Sequence, residues 1–140
     1  MDKEDRLALL DTSLERAAEQ LGDITPDVMA RFYARFPRAR ERFETLYLGE
    51  REKLEGEMVE QTLYCLMEWY ADRGEVEIIL YSTIPHHVGY LKIEPRFFSG
   101  LIDAVCETIV STIPVQATDE LETWNDLQQT MRSMVSASVG

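Results

Sequence analysis

Apolar residues recur at steps of three and four through most of this chain, the spacing of one face of an α-helix. Leu7, Leu10, Leu14, Ala17 and Leu21 form the first such stripe. Gly22 ends it, because glycine tolerates the positive φ of a helix terminus. Thr25 and Pro26 predict a restart, with a hydroxyl cap and a proline at the first helical position. Met29, Phe32, Tyr33 and Phe36 make the buried face of that second helix, and Pro37 breaks it, opening one short further turn that reaches Phe43. Residues 44–50 read as a connector. From about Arg51 a longer helix turns Leu54, Met58, Thr62, Leu66 and Trp69 inward and stops near Gly74.

A shorter helix follows, with Val76, Leu80, Ile84 and His87 in register and Gly89 at its close. Pro95 opens the next, whose inner face is Phe98, Leu101, Ile102, Val105 and Ile109, with Pro114 past its end. The last helix begins at Thr118, with Asp119 and Glu120 complementing the helix dipole in its first turn. Its stripe is Leu121, Trp124, Leu127 or Gln128, Met131 and Val135. No stretch of useful length alternates with period two, so the fold class is all-α. There is no internal repeat, low-complexity tract or shift in composition, and residues 1–140 are expected to form a single domain.

Charge narrows the field of partners. With 26 acids against 14 bases the formal charge is −12, which repels phosphate backbones and anionic lipid. Nucleic acid and membrane are therefore excluded as expected partners, and no apolar run approaches the ~20 residues that span a bilayer. The first residues are charged where a secretory leader needs an apolar stretch, and the two cysteines, Cys65 and Cys106, form neither a disulfide framework nor a metal spacing. A cytoplasmic protein is the expectation. The acids themselves are read as lying along exposed helical faces.

Candidate chemistry is sparse. The two histidines, His86 and His87, are adjacent, and neither lies in a nucleophile motif; no phosphate loop, dinucleotide fingerprint or c-type haem attachment motif is present. His87 stands out because it shares a stripe with Leu80 and Ile84, so its ring is expected to face the core.

The residues after His87 carry a resemblance. His87, Leu91, Ile93, Glu94, Pro95 and Phe98 fill the pattern of the proximal-histidine segment of globins, particularly of haemoglobin chains. A second block, Phe32 through Phe36 and Pro37 with Phe43 six residues later, is similar to the globin region leading to the haem-stacking phenylalanine. The blocks come in the right order with one long helix between them, and the helix plan resembles the globin plan along essentially the whole chain. What the resemblance implies is a globin-like bundle of about six to seven helices around a haem pocket. The implied cofactor is b-type haem, with iron protoporphyrin IX held by His87 as the metal ligand. The second ring nitrogen of His87 would be held by a carbonyl one turn earlier, near Thr83. Phe43 would stack on the macrocycle, Leu91, Ile93 and Phe98 would line the proximal side, and Lys92 would reach a propionate.

The distal side departs from the family. The usual ligand-facing position falls at Met58, with Thr62 one turn on and Met29 contributed by the second helix. A slip of one or two residues in this register would bring in Gln61. Few donors would then face a bound gas, implying weaker O2 binding relative to CO. Met58 reads as a space-filler over the haem, with thioether ligation of iron as the sharper alternative. The implied function is reversible binding of a diatomic gas (O2, CO or NO) for transport, storage or sensing, by a monomer or homodimer. Two alternatives stand beside it: a haem-less globin-fold regulatory or interaction module, and a haem-dependent NO dioxygenase served by an external reductase.

Overall fold

A computed structural model describes residues 1–89 and 94–139, with side chains for 1–84 and 94–138. Among them are seven α-helices and no strand. They are α1 (Lys3–Leu21), α2 (Thr25–Arg35), α3 (Pro37–Leu46), α4 (Arg51–Glu68), α5 (Arg73–Gly89), α6 (Pro95–Val110) and α7 (Thr118–Val139). The all-α class expected from the periodicity is what the chain adopts.

Local chemistry accounts for most of the boundaries. Asp2 caps α1 by accepting a hydrogen bond from the Asp5 amide at 2.8 Å, and Gly22 ends it at φ +68°, donating its N–H to the Ala18 carbonyl. The start of α2 differs from the expectation. Thr25 is already helical, the cap position falls to Ile24 without a side-chain bond, and the carboxylate of Asp23 before it accepts the Thr25 amide at 3.0 Å. That bond holds the Asp23 carboxyl below its ordinary range. Pro37 does end α2, but α3 runs for ten residues rather than one turn. Helix α4 stops at Glu68, short of Gly74, because Asp72 caps a new helix by accepting the Glu75 amide at 3.1 Å. Gly74 therefore lies in the first turn of α5.

Helices α6 and α7 form the most extensively packed pair; α2 crosses α6, α1 lies on α7, α5 also packs along α7, and α4 bridges α2 and α6. Gly100 marks a close approach on α6. A methyl group there would lie 2.2 Å from Cε2 of Phe36, so only a hydrogen leaves room for that ring. The core that results is one cluster, with Trp124, Leu127, Val105, Cys106 and Ile109 essentially sealed from solvent.

Two acids contradict the expectation of exposed acidic faces. Glu120 is 4% exposed and Glu55 is 7% exposed. Glu120 accepts hydrogen bonds from the Ser13 hydroxyl and the Arg16 guanidinium, each at 2.5 Å, while Trp124 Nε1 donates to Ser13 Oγ at 2.8 Å. Burial alone would push the Glu120 carboxyl up; the bonds from Arg16 and Ser13 outweigh it and hold the group below its ordinary range. Glu55 accepts from Tyr33 Oη at 2.5 Å and from Arg51 at 2.7 Å, and Arg51 also pairs with Glu44. An acid can face the core where a cation meets it, from a neighbouring helix for Glu120 and from one turn earlier on α4 for Glu55.

Candidate functional site

The seven helices do not close on one another everywhere. Between α4 and α5 they leave a cavity of about 720 Å³. That volume lies in the ~300–1,000 Å³ range of small-molecule and cofactor sites. Helix α4 supplies Leu54, Met58, Gln61, Thr62 and Cys65 along one wall, and α5 supplies Ile79, Leu80, Thr83 and Ile84 opposite. Phe97, Phe98, Leu101 and Ile102 of α6 and Met131 and Val135 of α7 close the base.

One end of the cavity is aromatic. Phe43 reaches it from α3 and is itself only 4% exposed. Its ring lies parallel to that of Phe32, with centroids 6.1 Å apart and planes 2° apart, and Phe97 meets it edge-on at 6.4 Å. These edge and stacked contacts fix the ring planes, so the end wall is pre-shaped. Above it, the Tyr33–Glu55–Arg51 bonds tie α2 to the first turn of α4. Burial, then the bond to Glu55, pushes the Tyr33 hydroxyl well above its ordinary range, so it stays protonated and keeps that tie in place.

Tyr47, Ser82 and Thr83 bring hydroxyls to the α3 and α5 sides of the lining, while the α4 wall carries few polar groups. The Thr62 hydroxyl donates to the Met58 carbonyl at 2.9 Å, within its own helix, so its proton is already committed. Gln61 directs its amide toward Cys65 Sγ at 4.0 Å, a weak contact. Burial raises the Cys65 thiol above its ordinary value, with the Gln61 contact acting the other way, so the sulfur is a neutral apolar neighbour rather than a nucleophile. Glu57 is the one charged side chain on the wall among the described residues, and it is exposed.

Of the residues singled out from the sequence, Phe43, Met58, Thr62 and Phe98 line this cavity together. Met29 does not. It is buried in the core at 4% exposure, because Val28, Met29 and Phe32 form the stripe that α2 buries; α2 reaches the cavity one turn later, through Phe32. The side chain of His87 and all of Leu91, Lys92 and Ile93 lie outside the described residues. The backbone of position 87 belongs to α5, one turn past the cavity-lining Thr83 and Ile84. Among the described residues no three His, Cys, Asp or Glu side chains converge on a metal-sized space.

Several lining residues escaped the sequence reading. Met131 and Val135 read as ordinary core, and Phe97, Ile79 and Cys65 sit off the stripes assigned to their helices. A usable signal existed in α4. Its apolar and small residues cover more than one stripe, Leu54–Met58–Thr62 and Val59–Leu66, and such a helix has two surfaces to face. Compared with the known protein families, the curated proteins and the solved structures, the chain matches none.

Proposed function

We propose that the α4–α5 cavity holds b-type haem and that the protein is a globin-like binder of a diatomic gas. The observation that carries this reading is the cavity itself. Helix packing alone leaves an apolar space with a fixed aromatic end, and four of the five described residues that the globin resemblance assigns to haem contact line it. The residues present fit the group: a flat apolar macrocycle is matched by Phe43, Phe97, Leu101 and Ile102, and the lining isolates no charge. The helix arrangement, with α6 against α7, α2 across α6 and α1 on α7, supports the same reading.

In this account His87 is the iron ligand, Phe43 packs on the ring, and Met58 fills the space opposite as a flexible thioether. When bound, haem supplies the ferrous iron at which the gas binds. The chain's own contribution on the α4 wall around Met58 is a stretch with few donors among the described residues, the hydroxyls of Tyr47, Ser82 and Thr83 lying on the α3 and α5 sides. Met58 has none to give, and the Thr62 proton is held by the Met58 carbonyl. A donor to a polarised ligand in a buried setting is worth ~1–3 kcal/mol. Its scarcity therefore favours CO, which needs little such help, over O2. A gas-binding protein rather than an enzyme fits this wall, since O–O cleavage draws on polar groups; NO dioxygenation would in addition require an external reductase.

Hemin titration of the full-length protein tests the assignment. A Soret band that saturates at one haem per chain is expected, with CO shifting it after reduction. His87→Ala should abolish the CO-reduced spectrum of the wild type. No saturable uptake would overturn haem binding and leave the haem-less interaction module as the reading of the fold. Equal spectra for wild type and His87→Ala would remove His87 as ligand.

A further inference from the structure

On its other side α4 borders a second hollow. Helices α1 and α4 pack against α6 more than against each other, and the gap between them is a groove of about 690 Å³. Its floor is apolar and built from small or half-exposed residues: Leu14 and Ala17 of α1, and Gly56, Val59, Leu63 and Met67 of α4. Met67 is 42% exposed, and a side chain placed at Gly56 would meet nothing within 4 Å, so the floor is open to a visitor. Its rim is acidic. Asp23, Glu52, Glu57 and Glu60 stand around it against a single cation, Lys53. None of the three glutamates enters an ion pair among the described residues, whereas the acids elsewhere on the molecule often do.

We propose that this groove docks a cationic amphipathic helix of a partner protein. An apolar stripe at helical spacing fits a trough between two helices, and methionine and small residues make its floor adaptable. The choice of occupant rests on charge. Four rim acids against one lysine around an apolar floor attract a helix whose polar face carries lysine or arginine, and repel an acidic one, including a second copy of this chain at −12. The groove and the cavity share one wall. Glu57 lines both, and residues 58, 61, 62 and 65 face the cavity while 56, 59, 60, 63 and 67 face the groove. A helix seated in the groove would thus lie one helix thickness from whatever occupies the cavity. The proposal itself does not depend on that occupant.

The probe is a synthetic leucine–lysine amphipathic helical peptide, with a leucine–glutamate peptide of the same length beside it. Amide chemical shifts of the full-length protein report the binding site, and calorimetry reports the affinity. The lysine peptide is expected to shift amides of the second half of α1 and of α4, with binding that weakens as salt is raised. The glutamate peptide should leave the spectrum unchanged. Glu57→Lys with Glu60→Lys should weaken binding by about tenfold or more, and Gly56→Leu, which improves helix propensity while filling the floor, by a similar factor. Asp119→Lys with Glu122→Lys changes the net charge equally away from the groove and should have little effect. Equal loss in the two charge-reversed pairs, shifts centred elsewhere, or full binding by Gly56→Leu would overturn the proposal. So would sedimentation showing that the groove is already covered by a second copy of the chain.

Discussion

The two halves of this bundle use the same apolar residue types to opposite ends. Where α6 and α7 meet α1, the stripes close completely: Val105, Cys106, Ile109, Trp124 and Leu127 have essentially no exposed surface, and even the buried acid Glu120 has its partners. Where α4 faces α5, the stripes stay apart. Leu54, Met58, Thr62 and Leu80 remain half-buried around open space, and Ile78 at the edge is 69% exposed. Helix spacing in the first region is set by side chains that interdigitate. In the second the Tyr33–Glu55–Arg51 bonds hold α2 on α4, the aromatic cluster at Phe43 closes one end, and the Tyr64 hydroxyl donates to Glu75 between α4 and α5. A periodic apolar pattern therefore says that a face will be buried, without saying whether protein or a guest will cover it.

The sharpest way to break this comparison is to truncate one residue in each half. Trp124→Ala should cost ~3–5 kcal/mol, because it opens a void in a packed region and removes the donor that Ser13 accepts from. Leu54→Ala on the cavity wall removes a half-buried side chain beside existing space and should cost about 1 kcal/mol. Urea denaturation of the two variants measures both. Equal costs would mean that the cavity wall is packed as tightly as the core.

Two smaller effects test what holds the packed half. A methyl group at Gly100 cannot fit without moving the Phe36 ring, itself held by Phe32 and Phe97, so Gly100→Ala should destabilise by ~1–3 kcal/mol despite its better helix propensity. Glu120→Gln should cost about 1–2 kcal/mol near neutral pH by weakening the bonds to Ser13 and Arg16. Its pH dependence has a definite sign. The folded carboxyl lies below its ordinary range, so its stabilisation is fully present above the unfolded value of about 4.3 and is lost as pH falls through the folded one. The wild-type and Glu120→Gln curves should then converge in acid. A gap that stays constant down to acid pH would show that the charge contributes nothing.

Much of the fold was legible from spacing alone, because stripes and punctuation act locally: the Leu7–Leu21 face, Gly22, Pro37 and Pro95 all do in the fold what their chemistry suggests. The misplacements share a cause. Asp23 rather than a Thr25 hydroxyl meets the first amide of α2, and Asp72 starts α5 ahead of Gly74, because several polar residues compete for the free amides at a helix start and geometry chooses among them. Glu55 and Glu120 were read as solvent-facing because the cations that admit them come from other turns or other helices. Met29 lies on the buried face of α2 and outside the cavity lining, since register along a helix does not say which of two neighbours a stripe will meet. The cavity's existence is of that kind too: it depends on how far apart α4 and α5 are held, and no single residue announces that distance.

The smallest expected effect concerns the residue on which distal polarity turns. In Thr62→Val the helix keeps its shape, since both side chains branch at Cβ, and the lost bond leaves no orphan: the Met58 carbonyl retains its backbone helical partner. Stability should change by about 0.5 kcal/mol or less. If haem occupies the cavity, stopped-flow measurement of O2 release from the reduced, haem-loaded protein should give the same rate for both forms, because the hydroxyl proton is spent inside the helix and not on the guest. Faster release from Thr62→Val would mean that the hydroxyl abandons the Met58 carbonyl when the cavity fills, and the wall is then less inert than its resting hydrogen bonds make it.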